Sequence, residues 1–261
     1  MRKQILILPI LLFSLLLLSN CEDDSTGSSK DGMGTLNVSL TDAPADFDSV
    51  IIHFSEISAH IDSDWVQVMT EPMRINLLEW NNGKTVLLGS SDVPAGKYTQ
   101  IRIKVDSAFI GVNGEIHSLD VPSGMQTGLK LGPEFTIDEG TTYQMVMDFD
   151  ACQSIVTMGP KKNPHGYKLK PHIRLTTMAL SGSVSGTVLN FDARPTAYAI
   201  LGTDTVTSTF ADTLNGMFKL AFLEADTYRV VVEDTLNRTF NEENVVVSKG
   251  KNTNLGDITL Q

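Results

Sequence analysis

From Gly34 onward, apolar and polar residues alternate with a period of two rather than 3.6. Leu36, Val38 and Leu40 alternate with Asn37, Ser39 and Thr41, and the run stops at Asp42-Ala43-Pro44. Ile101, Ile103 and Val105 alternate with Arg102, Lys104 and Asp106. Met145, Met147 and Phe149 alternate with Val146, Asp148 and Asp150. Successive side chains of a strand point to opposite faces, so each run predicts a strand with one buried side. Between Val50 and Ile61 the apolar positions are 50, 52 and 54, then 57, 59 and 61. That change of phase predicts a bulge near Ser55. Asn81-Asn82-Gly83, Val112-Asn113-Gly114 and Asn215-Gly216 predict tight hairpins. Only Met73 to Trp80 leaves room for a short helical turn. The pattern predicts an all-β protein built as antiparallel sandwiches or barrels.

A weak internal echo points to one kind of building block. Pro94 to Ile101, Ile137 to Tyr143 and Leu223 to Val230 each couple a turn carrying Gly or Asp to a tyrosine that opens a strand. The turn asks for a positive φ, which Asp226 must tolerate in the third copy, and the tyrosine clamps the sheet edge. A small, polar stretch at Ala179 to Ser183 divides the chain into two β-sandwich domains, 33–178 and 182–261. In the second, Phe191, Tyr198, Phe210, Phe218, Phe222 and Tyr228 are the expected core aromatics.

The first twenty residues are of another kind. Arg2 and Lys3 precede an almost purely apolar run, Ile5 to Leu18, that is too short to span a hydrocarbon core of about 30 Å. This is the layout of a secretory signal peptide. Leu18-Ser19-Asn20-Cys21 resembles the lipobox of bacterial lipoproteins, although Asn20 replaces the usual small residue. The resemblance implies cleavage before Cys21 and lipidation of its thiol. Glu22, Asp23 and Asp24 resemble the acidic surface-export signal of Bacteroidetes-type lipoproteins; a solvated tether explains the same charges. Residues 21–32 then read as an acidic, flexible linker. These segments place the protein in the bacterial cell envelope, lipid-anchored, on the outer membrane and facing outward.

Composition narrows the chemistry. The 261 residues carry 20 basic and 31 acidic side chains, a net charge of −11, which argues against nucleic acid as a partner. There are only two cysteines, so no disulfide framework is available. With Cys21 acylated, Cys152 is expected to be a small buried hydrophobe.

Two family resemblances follow from particular motifs. Residues 34–177 resemble the bacterial domain of unknown function 4382 family. The carriers are Gly34 to Pro44, the Pro94–Ile101 corner, Asp148-Phe149-Asp150 and Leu169 to Leu175. The resemblance implies a secreted or lipid-anchored β-rich domain. Val184 to Val188, and Gly216 to Leu220 running into Tyr228 to Val232, are similar to carboxypeptidase-regulatory-like, transthyretin-like sandwiches. That similarity implies a module without catalysis of its own.

Candidate chemistry is sparse. The pairs Asp46/Asp48, Asp62/Asp64 and Asp148/Asp150 have the i, i+2 spacing that suits a hard cation, but none continues into a calcium-loop pattern. Turn and strand-end carboxylates explain them equally well. The histidines at 53, 60, 117, 165 and 172 form no zinc spacing, and no metal is assigned. Lys161, Lys162, Lys168, Lys170 and Arg174, with His165, His172 and Tyr167, form a basic stretch. It suits an anionic glycan or a partner's acidic face, or is a solvated hairpin whose lysines protect an edge. Trp65, Trp80 and Tyr98 are candidate sugar-stacking residues, with Trp80 the most exposed, or else core anchors. Trp80, Tyr167, Lys168 and Lys170 are thus the candidate ligand-binding set. No nucleophile elbow, phosphate loop or dinucleotide fingerprint occurs, so no catalytic residue and no cofactor is expected. The sequence favours a non-catalytic, lipid-anchored protein that binds a glycan or an envelope protein at the cell surface. An exported hydrolase using carboxylates or a cation in the first domain, and a structural subunit of an envelope complex, are the competing readings.

Overall fold

The computed structural model describes residues 32–160 and 165–261. Its first half contains β1 (Met33–Ala43), β2 (Ser49–Ile61), β3 (Asp64–Met69), β4 (Met73–Asn76), β5 (Val86–Pro94), β6 (Gly96–Val112) and β7 (Glu115–Asp120). Helix α1 (Ser123–Thr127) leads to β8 (Leu129–Leu131), β9 (Phe135–Ile137) and β10 (Thr142–Asp150). Helix α2 (Ala151–Ser154) leads to β11 (Ile155–Met158), β12 (Gly166–Leu169) and β13 (Ile173–Thr177). The second half contains β14 (Ser181–Val188), β15 (Thr196–Leu201), β16 (Asp204–Phe210), β17 (Met217–Glu224), β18 (Thr227–Glu233), β19 (Thr239–Val246) and β20 (Asn252–Ile258). The protein is all-β, with helix confined to single turns.

Four sheets enclose two separate apolar cores. Strands β13-β10-β1-β5 form one sheet, which faces β11-β12-β7-β6-β2-β3 with β4, β8 and β9 attached. Leu36, Val38 and Leu40 from the first sheet meet Ile52, Phe54, Ile101, Ile103 and Val105 from the second, all fully or almost fully buried. Strands β17-β14-β20 and β16-β15-β18-β19 enclose the other core, built on Val184, Phe218, Leu220, Tyr228, Val230 and Val232. A single 3-10 turn, Met178–Leu180, joins β13 to β14.

The bulge is where the change of phase puts it. Register between β2 and β6 slips on both sides of Phe54, so Glu56, Ser58 and His60 take the outer face while Ile57, Ala59 and Ile61 turn inward. Asn113 and Gly114 both have positive φ and close a two-residue hairpin between β6 and β7. The other two turn signals reverse the chain without making hairpins. Asn82-Gly83 leads from β4 to β5, and Asn215-Gly216 from β16 to β17, strands that lie in different sheets. Asn-Gly supplies the backbone for a tight reversal but does not select the strand that pairs afterwards. Between Met73 and Trp80 only Leu77–Glu79 is helical, as one 3-10 turn.

Two of the three echoed corners share one hydrogen bond. The Tyr98 hydroxyl donates to the Pro94 carbonyl at 2.7 Å, and the Tyr228 hydroxyl to the Glu224 carbonyl at 3.0 Å. Each latches its strand to the turn four residues earlier. The third tyrosine, Tyr143, instead stacks on Phe135 at 4.9 Å. Asp226 does not take a positive φ; its carboxylate accepts the Thr227 amide at 2.7 Å. The left-handed residue near that corner is Phe222, at φ 56°.

The second core departs from its expected aromatic list. Phe218 and Tyr228 are buried, and Phe191 packs at the edge. Phe210 lies against the Arg194 guanidinium at 4.4 Å, and Tyr198 faces a cleft. Alanines 197 and 199 take the inner face of β15, which moves Tyr198 to the other side of the pleat.

Candidate functional site

The carboxyl ends of β1 and β10 come together beside the second sandwich. They are parallel neighbours, with Thr41 opposite Asp148 and Ala43 opposite Asp150. Strand β13 adds Arg174 directly opposite Asp148. Arg174 Nη2 donates to Asp148 Oδ2 at 2.7 Å, and its Nη1 donates to the Phe222 carbonyl on β17 at 2.7 Å. One guanidinium therefore ties the two sandwiches together. Asp150 caps α2, accepting the Gln153 amide at 2.8 Å and Gln153 Nε2 at 2.6 Å. Asp42 Oδ1 accepts the Ala151 amide at 3.0 Å.

These strand-end carboxylates are buried. Asp42 retains 4% of its exposure and Asp148 5%. The period-2 pattern assigned the second face of β10 to solvent, but β10 is buried on both faces from Met145 to Asp150. Burial holds the Asp42 carboxyl well above the ordinary aspartate value, with the Asp148 and Asp150 charges pushing the same way against the Ala151 amide. Burial also raises Asp148, and Arg174 opposes that rise. Asp42 Oδ2, Asp148 Oδ1 and Arg174 Nε have no hydrogen-bond partner.

A cleft of about 630 Å³ opens beside this cluster. The first sandwich supplies Asp148, Asp150, Cys152, Gln153, His172 and Arg174. The second supplies Tyr198 and the hairpin from Thr203 to Ser208. Cys152 is exposed on this wall rather than buried, because it occupies the outward side of the short α2 turn. Burial and then the charges of Asp150, Asp42 and Asp46 push its thiol up, the reverse of what a nucleophilic thiolate needs. Burial and the neighbouring Glu233 carboxylate raise the Tyr198 hydroxyl.

The other candidates scatter. Tyr167 keeps only 8% exposure inside the first core, 5.3 Å from His117, and offers no stacking face. It alternates with Lys168 and Lys170, which are exposed, and Lys168 lies 3.8 Å from Asp120. Arg174 of the same basic stretch turns inward to Asp148. Lys161 and Lys162 lie outside the described residues. Trp80 is half-buried against the first core, and its carbonyl accepts the Thr41 hydroxyl. Tyr98 is fully buried, and Trp65 lies under Arg102 at 4.3 Å. Asp46 pairs with Arg194 at 2.7 Å, whereas Asp48 accepts the Gly114 amide at 2.7 Å, so these two are engaged separately. Among the described residues no three His, Cys, Asp or Glu side chains are placed to hold a metal ion. Cys21, Glu22, Asp23 and Asp24 also lie outside the described residues, and among those described no helix is long and apolar enough to cross a membrane.

Sequence reasoning missed Asp42, Tyr198 and the Thr203–Ser208 hairpin. Asp42 was legible only as the end of a strand. The other two come from a segment whose position beside β10 no local pattern encodes.

The family described as Domain of unknown function (DUF4382) matches residues 33–171, more than half of the chain. The chain belongs to the DUF4382 family. The DUF4382 region includes Asp42, Asp148 and Asp150 but ends before His172 and Arg174, so the cleft extends beyond it. No curated protein matches the chain. Among solved structures it is similar to the Bacillus anthracis TIE protein, at 12% identity and a TM-score of 0.24, over 88% of this chain and 34% of that one. A fimbrial protein from Bacteroides ovatus is 9% identical with a TM-score of 0.24, over 87% of this chain and 50% of that one. The shaft pilin SpaA from Lactobacillus rhamnosus GG is 7% identical with a TM-score of 0.20, over 87% and 97% respectively. The chain thus spans a third and a half of the first two proteins.

Proposed function

We propose that this DUF4382 protein is a non-catalytic binding protein of the bacterial envelope, lipid-anchored through Cys21 and carrying its ligand in the cleft between the two sandwiches. The observation that carries this reading is the cleft of about 630 Å³ with one wall from each sandwich. Thr203, Thr205, Ser208 and Gln153 offer both donors and acceptors, and Tyr198 offers an aromatic flank. Asp148, Asp150 and Asp204 disfavour an acidic ligand, so a neutral glycan suits these walls better. Catalysis is disfavoured because both oxygens of Asp150 are engaged by Gln153, Asp148 is paired with Arg174, and the thiol of Cys152 is kept protonated.

The geometry suits outward display. Gly32 adjoins the Met33 end of β1, whereas the cleft lies at its Ala43 end, about 35 Å away for an eleven-residue strand. A tether from Cys21 would therefore present the cleft away from the membrane. The second sandwich, in this reading, is a carboxypeptidase-regulatory-like module that contributes a wall.

Full-length protein in detergent, applied to an array of neutral and acidic glycans, tests the ligand. Binding of neutral glycans that is lost in Tyr198→Ala supports the cleft; absence of glycan binding, or undiminished binding by the variant, overturns it. Cys21→Ala should release folded protein from membranes, and continued membrane retention would remove the anchor. Replacing Glu22, Asp23 and Asp24 by Ala should protect the protein from protease applied to intact cells. Equal digestion of variant and wild type would remove the export signal.

A further inference from the structure

A second surface lies on the outer face of the sheet that contains β2, β3, β6 and β8. Here the bulge at Ser55 turns Glu56, Ser58 and His60 outward. Trp65 on β3 pairs with His60, Lys130 on β8 pairs with Arg102, and Lys104 follows two residues along β6. The side chains interlock. The Arg102 guanidinium lies 4.3 Å over the Trp65 ring, and Lys130 Nζ lies 5.5 Å from the same ring. Arg102 also donates to Glu56 Oε1 at 2.7 Å and to the Ser58 hydroxyl at 3.1 Å. Lys104 Nζ donates to Glu56 Oε2 at 2.6 Å.

Gly128 completes the seat. Its φ is +118°, and a Cβ there would come within 2.7 Å of Arg102 Cγ, so the missing side chain makes room for the arginine stem. Stacking, two hydrogen bonds and this notch fix Arg102 before any ligand arrives, which removes part of the ordering cost of binding.

The charge on this face runs against the rest of the molecule. Arg102, Lys104 and Lys130 face a single paired carboxylate, Glu56, in a chain of net charge −11. Both oxygens of Glu56 are already occupied. Asp64 and Asp106 lie on the same strands and, among the described residues, make no ion pair with the three cations. Neighbouring strands place Arg102 and Lys130 about 5 Å apart at the backbone, and Lys104 about 7 Å along β6.

We infer that this face binds an acidic polysaccharide, with Arg102, Lys104 and Lys130 meeting successive carboxylates of a polyuronate chain. Charge complementarity selects the occupant: an extended polyanion meets three cations on two adjacent strands without entering a pocket. The inference is independent of the cleft, which carries the opposite charge and a different ligand class.

The test uses full-length protein in neutral detergent on immobilised polygalacturonate, with dextran and anionic phospholipid vesicles as separate arms. Polygalacturonate should bind, dextran should not, and affinity should fall as salt rises. Lys104→Gln combined with Lys130→Glu should weaken binding by roughly tenfold or more, with the melting temperature within a few degrees of wild type. Gly128→Ala should also weaken it, because the added Cβ displaces the Arg102 stem and the φ of +118° strains the backbone beside it. No preference for polygalacturonate over dextran, equal binding by the double variant, or capture by vesicles with none by polygalacturonate would each overturn the inference.

Discussion

Glu56 and the pair Asp42 and Asp148 put the same functional group in opposite situations. Glu56 sits on a partly exposed sheet face, where Lys104 and Arg102 lower its carboxyl to about 2 despite some burial. Asp42 and Asp148 sit between two sandwiches, where burial outweighs every favourable contact and raises both. Partners decide the first case and desolvation the second. Both cations that pair with Glu56 keep access to water, so its charge is supported at little cost. Asp42 accepts the Ala151 amide through Oδ1, has two acidic neighbours and has no hydrogen-bond partner at Oδ2. A carboxylate near a cation is therefore not automatically a stabilised carboxylate. How many of its lone pairs are met, and what the cation itself keeps, matter more.

The harshest way to break this contrast is Asp148→Ala. It leaves the Arg174 charge between the sandwiches with only the Phe222 carbonyl, and should cost about 3–5 kcal/mol in denaturant unfolding. A loss below about 1 kcal/mol would mean that solvent reaches Arg174 freely. Glu56→Gln should cost less, about 1–2 kcal/mol at neutral pH, because its partners remain hydrated.

The pH dependence of that second loss sharpens the comparison. A lowered folded value means that the Glu56 contribution is complete above the unfolded value of 4.5 and disappears as pH falls towards 2. The stability difference between wild type and Glu56→Gln should therefore shrink across that window; a constant difference would show that charge is not its source. Asp42 has the opposite sign. With its folded value raised, its contribution is complete below the ordinary value of 3.8 and is lost as pH rises through the raised value. Asp42→Asn should thus lie within about 1 kcal/mol of wild type at acid pH and gain on it as the solution becomes neutral. A variant that falls further behind at neutral pH would mean that the ionised form is supported after all.

The alternation of Leu36, Val38 and Leu40, the phase change at Ser55 and the Asn113-Gly114 turn were readable because each is decided within a few residues. So were the corners at Tyr98 and Tyr228, whose hydroxyls reach back four residues. Burial of Asp148 was not readable, since it depends on Arg174 and on a sandwich that begins at Ser181. The interlock of Trp65, Arg102 and Lys130 escaped for a similar reason: it uses three strands that are not consecutive. The basic stretch at 161–174 shows the converse failure. Its cations are close in sequence, yet Lys168 faces outward while Arg174 turns into the junction.

The position of β1 has a consequence for the order of assembly. It is the earliest of the described strands, yet it lies inside its sheet, antiparallel to β5 and parallel to β10, with Thr35 opposite Thr142. A chain delivered amino end first must leave the β10 side of β1 without its backbone partner until residues beyond 140 arrive. Until then β1 can pair with β5 but leaves its other edge open, the state in which strands from two molecules join. Slow delivery should therefore favour aggregates, and a chaperone that shields β1 should raise the yield of native protein more than one acting on the second sandwich.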